Sequence, residues 1–176
     1  GKLLRSFARG RPFVINKYDF FRPRNMMAEA AALGMIPGAI QVPHGNPEDD
    51  AVMARHYEFF RRHAELYRGS NGTPYSDVLL VYPRLATHAG DASGVEMVEV
   101  AGRTMVVDHV QFDMVSDDLL PTVELGGYRA VIVAEPVRAG GDRLSEFVNG
   151  GGRLIAVPRT AALARDGRWK RLGAQV

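Results

Sequence analysis

Cysteine is absent from the 176 residues. That excludes a disulfide framework, thiolate zinc sites and every cysteine-nucleophile mechanism. Lysine is almost as scarce: 3 of the 22 basic residues are Lys and 19 are Arg. Such lopsidedness reads as a GC-rich bacterial coding bias rather than as a phosphate-binding design. The net charge of +2 gives no argument for nucleic acid. No apolar run approaches the roughly 20 residues that span a bilayer, so no membrane partner is expected. Residues 1–11 are basic and broken by Arg9, Gly10 and Arg11, which is not a signal-peptide pattern. What remains is an ordinary globular composition, 46% hydrophobic and 24% charged, in a chain long enough to bury a core without staples.

The hydrophobic patterning alternates strands with helices, which implies an α/β fold with a mostly parallel sheet. Residues 11–16 read as a buried strand and 26–33 as a helix, with Asn25 as cap and Gly34 as its C′ residue. A second strand is expected at 39–42. Asn46 and Pro47 open a helix that continues to Tyr67, with Val52, His56, Phe59, Phe60, His63 and Tyr67 on one stripe. Gly69-Ser70-Asn71-Gly72-Thr73-Pro74 reads as a linker and places a domain boundary there, giving segments 1–70 and 71–176. Beyond it, strands are expected at 77–82, 110–115, 128–134 and 153–157. Helices are expected at 94–102 and 142–149, with 83–93 as a polar loop. Gly150-Gly151-Gly152 precedes a strand rather than opening a helix, so it reads as a helix stop with positive φ and not as a dinucleotide fingerprint.

Several stretches together resemble one family. "HYEFFRRHAELYRGS" (56–70) resembles the last barrel helix of bacterial glycoside hydrolase-like proteins. "DVLLVYPR" (77–84), "HVQFDMVSDDLL" (109–120), "YRAVIVAEP" (128–136) and "LSEFVNGGGRLIAV" (144–157) resemble the beta-galactosidase trimerisation-like module that follows such barrels. The resemblance implies a class I glutamine amidotransferase-like, flavodoxin-like domain over 71–176. Residues 1–70 would be a βαβα segment from the end of a TIM barrel. "RDGRWKRLGAQV" (165–176) resembles a stretch that precedes further sequence in the family, so the chain is expected to be a fragment, or a diverged short relative, missing barrel strands 1 to 6. The resemblance also implies a carbohydrate substrate and homo-oligomeric association. No cofactor is implied, and a cytoplasmic location is slightly favoured.

The chemistry of such proteins needs two carboxylates flanking the scissile bond. In the family one lies on a mid-barrel strand that this chain lacks, and the nucleophile follows strand 7. Here that strand runs into Asn16-Lys17-Tyr18-Asp19, without a matching Glu. Asp19 is the one candidate catalytic carboxylate, and an ordinary turn residue is the competing reading. Barrel sites sit at the carboxyl ends of strands, so Asn16, Lys17, Tyr18, Gln41 and His44 are candidate substrate-binding residues. Tyr18 would stack on a sugar ring, and Asn16 or Gln41 would bond hydroxyls. His56 and His63, seven apart, read as packed histidines rather than a metal pair, which usually sits four apart. Asp113, Asp117 and Asp118 form an acidic cluster whose default roles are capping or a solvated turn. A hard-cation site is the alternative. No G-x-S-x-G elbow and no phosphate loop occur.

The expected role is thus part of a glycoside hydrolase-like protein, lacking a complete catalytic pair and serving association or substrate-site closure. The rival is a non-catalytic flavodoxin-like scaffold or small-ligand-binding protein. The first expects adjacent parallel strands in 1–70 with an exposed apolar side, and the second one closed core. A third reading, an enzyme completed between subunits, places Asn16, Tyr18, Asp19 and His44 at an oligomer interface.

Overall fold

Runs such as Val78-Leu79-Leu80-Val81 bury side chains on both faces of a strand, and a sheet built from them needs cover above and below. The computed structural model describes residues 1–8, 11, 13–16, 23–38, 47–67, 75–134 and 138–157. The chain divides into two units, Gly1–Pro74 and Tyr75–Val176.

The first unit contains α1 (Lys2–Ala8), β1 (Val14–Asn16), α2 (Pro23–Leu33), β2 (Ile36–Gly38), α3 (Pro47–Arg62) and α4 (Ala64–Tyr67). β1 and β2 pair in parallel, Val14 opposite Ile36 and Asn16 opposite Gly38. Helix α2 starts earlier than the Asn25 cap predicts. Pro23 serves in its first turn, where a missing N–H costs nothing. The expected strand at 39–42 lies outside the described residues. The strand that pairs with β1 comes earlier, at 36–38, immediately after the helix stop at Gly34. Pro37 is tolerated there because a two-stranded sheet leaves one side of each strand unpaired. The expected helix 47–67 is broken at His63 into α3 and α4.

Among the described residues of this unit, Met26, Met27, Ala30 and Met35 are the buried apolar ones. The α3 stripe is only half-buried: Val52, His56, Phe60 and His63 are partly covered, while Phe59 is exposed and stacks against His63 at 4.7 Å. Val14 is 55% exposed and its partner Ile36 45%.

The second unit contains β3 (Val78–Tyr82), α5 (Arg84–His88), α6 (Ser93–Val107), β4 (Phe112–Ser116), a 3-10 turn (Leu120–Thr122), β5 (Ala130–Ala134), α7 (Gly141–Asn149) and β6 (Arg153–Val157). The four strands are all parallel, in the order β4-β3-β5-β6. This is an α/β, flavodoxin-like sheet, wound in both directions from β3. Strand alternation divides the core in two. Leu79, Val81, Val131, Val133 and Leu154 pack on one face with Leu120, Leu144 and Phe147. Leu80 and Ala134 pack on the other with Val98 and Met105 of α6.

Two helices depart from the sequence expectation. The polar loop 83–93 contains α5, a single short helix between Pro83 and Gly90. Helix α6 extends to Val107, well past 102, because burial of Val98 and Met105 against the sheet outweighs the low helix propensity of its valines. Four helices close in the same way, with a left-handed residue followed by an amide that bonds back five positions. Met35 N–H donates to Ala30 C=O after Gly34, and Asp91 to Ala86 after Gly90. Val110 donates to Met105 after His109, and Gly152 to Phe147 after Gly151. His109, with φ 55°, is the non-glycine residue in this role.

Candidate functional site

In open α/β sheets ligands bind outside the carboxyl ends of the strands, where the winding reverses. Here the reversal falls between β3 and β5. Three chain segments converge on it: Pro83-Arg84-Leu85 after β3, Ser116-Asp117-Asp118 at the end of β4, and Arg138 to Gly140 entering α7.

Asp117 organises this edge. Its side chain is completely buried. Oδ1 accepts from the Leu85 N–H at 3.1 Å and Oδ2 from the Arg138 N–H at 3.2 Å. Its own N–H donates to Tyr82 C=O at 3.0 Å. One residue therefore holds the loops that leave all three strands. A carboxylate with both oxygens committed to backbone amides is a structural bracket, not a general acid or base.

Asp118 pairs with the Arg84 guanidinium across the same edge. Oγ of Ser116 and Oδ1 of Asp118 are buried without a properly aligned hydrogen bond. Burial pushes the Asp118 carboxyl up, but the adjacent Ser116 hydroxyl and the Arg84 guanidinium outweigh it and hold it below its ordinary value. A carboxyl depressed on folding stabilises the fold above its unfolded pKa, and the contribution is lost as pH falls through the folded value. Asp118→Asn is therefore expected to lower the melting temperature at pH 7. The gap to the parent chain should close as pH drops below about 4. Melting curves from pH 7 to pH 3 check this, and a gap that stays constant would contradict it.

Asp113 belongs elsewhere. It accepts from the Tyr128 hydroxyl at 3.2 Å and so ties β4 to the loop before β5. The acidic cluster is thus dispersed into a bracket, an ion pair and a tyrosine contact. Among the described residues no three acidic or histidine side chains gather as a metal-binding group.

Of the sequence-derived site residues, Asp19, Lys17, Tyr18, Gln41 and His44 lie outside the described residues. Asn16 is described in its backbone, as the last residue of β1 opposite Gly38. Asn16 thus ends a strand of a parallel pair, and the other five candidates lie outside the described residues. The bracket at Asp117 was missed, because Asp-Asp after a strand reads as a solvated turn. Two strand-ending loops within reach of its two oxygens are a property of the strand order, not of the local sequence. No described helix is long and apolar enough to cross a membrane. The chain matches no family model, and neither the curated proteins nor the solved structures contain a match.

Proposed function

We propose that this chain is part of a glycoside hydrolase-like protein acting on carbohydrate, in which it does not carry a complete catalytic pair and serves association or closure of a sugar site. The observation that supports this is the exposed apolar side of the first unit. Parallel strands are ordinarily covered on both faces, and a two-stranded sheet is marginal by itself. Yet Val14 and Ile36, directly paired, are both exposed. A strand–helix–strand unit with an open apolar side fits a piece of a larger β/α assembly, as the resemblance to a barrel end implies. The parallel sheet of the second unit is covered on both faces and supports an autonomous module.

The test is hydrolysis of a panel of aryl glycosides by the purified chain, with Asp19→Asn in parallel and sedimentation velocity on the same samples. A folded chain that self-associates and turns over nothing is the expected result. Turnover that disappears in Asp19→Asn would place a working site on this chain and overturn the non-catalytic assignment. A monomer would remove the association role.

A further inference from the structure

A cleft of about 580 Å³ opens at the opposite, amino-terminal end of the second unit's sheet, where β5 and β6 begin. It owes nothing to the carboxyl edge or to the role proposed above. Arg129, Arg143 and Arg153 line it together with Glu124 and Glu146. Its volume lies in the range of small-molecule sites.

Three features point to what it takes. Arg143 spends its Nη atoms on Val123 C=O at 3.0 Å, Glu124 at 3.3 Å and Glu146 at 3.0 Å, while its buried Nε has no acceptor. Glu124 is 95% exposed, and surface pairs of this kind are weak, so an incoming anion displaces them at little cost. Among the described residues no carboxylate is within ion-pair distance of Arg129 or Arg153. Finally, Gly126 on the cleft wall has no positive φ, and a Cβ there would meet nothing within 4 Å. The Gly126 backbone on that wall is therefore open to an approaching ligand, with no side chain in the way.

We propose that this cleft binds a small oxyanion, a carboxylate or a phosphate, held by Arg129 and Arg143 against the Gly126 backbone, with Arg153 at the rim. The Glu124 and Glu146 carboxylates on the wall repel an anion, so the three arginines act against them, and a further effect opposes binding: α7 ends at the cleft, and a helix carboxyl end disfavours anions. That effect is confined to the last turn and screened by salt, and the last carbonyls of α7 are already bonded by the amides of Gly150, Gly151 and Gly152. Charge-assisted hydrogen bonds from guanidinium groups are the strong ones, and two arginines supply them.

The experiment is an amide NMR titration of the whole chain with inorganic phosphate and, separately, with succinate, at constant ionic strength. Saturable shifts at Gly126, Gly127 and Gly150 are expected with at least one anion, and which one responds identifies the group recognised. Arg129→Ala should weaken that binding by about tenfold or more, as loss of a charged hydrogen bond implies. Gly126→Ala, whose Cβ meets nothing in the free chain, should weaken it without lowering the melting temperature. No saturable shift at these amides with either anion, or an unchanged affinity in both variants, would overturn the proposal.

Discussion

Asp117→Asn is expected to destabilise the second unit by about 2–4 kcal/mol. The substitution is nearly isosteric, so packing changes little. What changes is chemistry. The carboxylate accepts from two backbone amides, those of Leu85 and Arg138. The side-chain amide of Asn offers one oxygen and turns an NH2 toward the other N–H, so one donor faces a donor in a site without solvent. Asp117→Ala leaves both amides without an acceptor and adds a void, so it should cost at least as much. Urea unfolding of both variants, followed by the near-ultraviolet signal, measures the loss. A change below about 1 kcal/mol in both would mean that water replaces the carboxylate at Leu85 and Arg138, and that the bracket is not what joins the three loops. Amide exchange at Leu85 and Arg138 separates a local opening from global unfolding, since a bracket predicts that these two amides lose protection first.

The strands of the second unit are legible because their information is local. Val78 to Tyr82, Ala130 to Ala134 and Arg153 to Val157 are apolar, β-rich runs bounded by polar turns, and the structure places strands there within two residues of the expected bounds. Helix α7 is legible for the same reason: Leu144 and Phe147 fall on one face and both are buried. The elements that escape depend on what surrounds them. Arg84-Leu85-Ala86-Thr87-His88 is too short to show a period, and it forms a helix because Ala86 is buried and the chain must turn away from β3. Val106 and Val107 are poor helix formers that finish α6 because the preceding turns are anchored through Val98 and Met105. The candidate site follows the same division. That a ligand crevice belongs at the carboxyl edge follows from alternating strands and helices. That Asp117 is buried and saturated, while the next residue, Asp118, faces Arg84, follows from a strand order that no short window of sequence contains.

The glycine run 150–152 should respond to alanine in a graded way, because the three residues are glycine for different reasons. At Gly152 a Cβ would lie 2.3 Å from two ring atoms of Phe147, whose side chain belongs to the core. The ring has to move within a packed layer, and Gly152→Ala is expected to cost about 1–3 kcal/mol. Gly151 has φ +92° and open space around it, so the penalty of Gly151→Ala is backbone strain alone, about 1–2 kcal/mol. Gly150 has φ −78°, and the nearest atom to a Cβ there is Glu146 O at 3.4 Å. Gly150→Ala removes freedom from the unfolded chain without strain in the folded one, and should leave stability unchanged or raise it by about 0.4–1 kcal/mol. Equilibrium unfolding of the three single variants ranks them. The order 152, 151, 150 is what a helix stop packed against an aromatic ring demands. Equal losses at all three would mean that the run is held by something other than φ and the Phe147 ring. The run's position fits this reading, since Gly152 donates to Phe147 C=O and the strand β6 begins at the next residue.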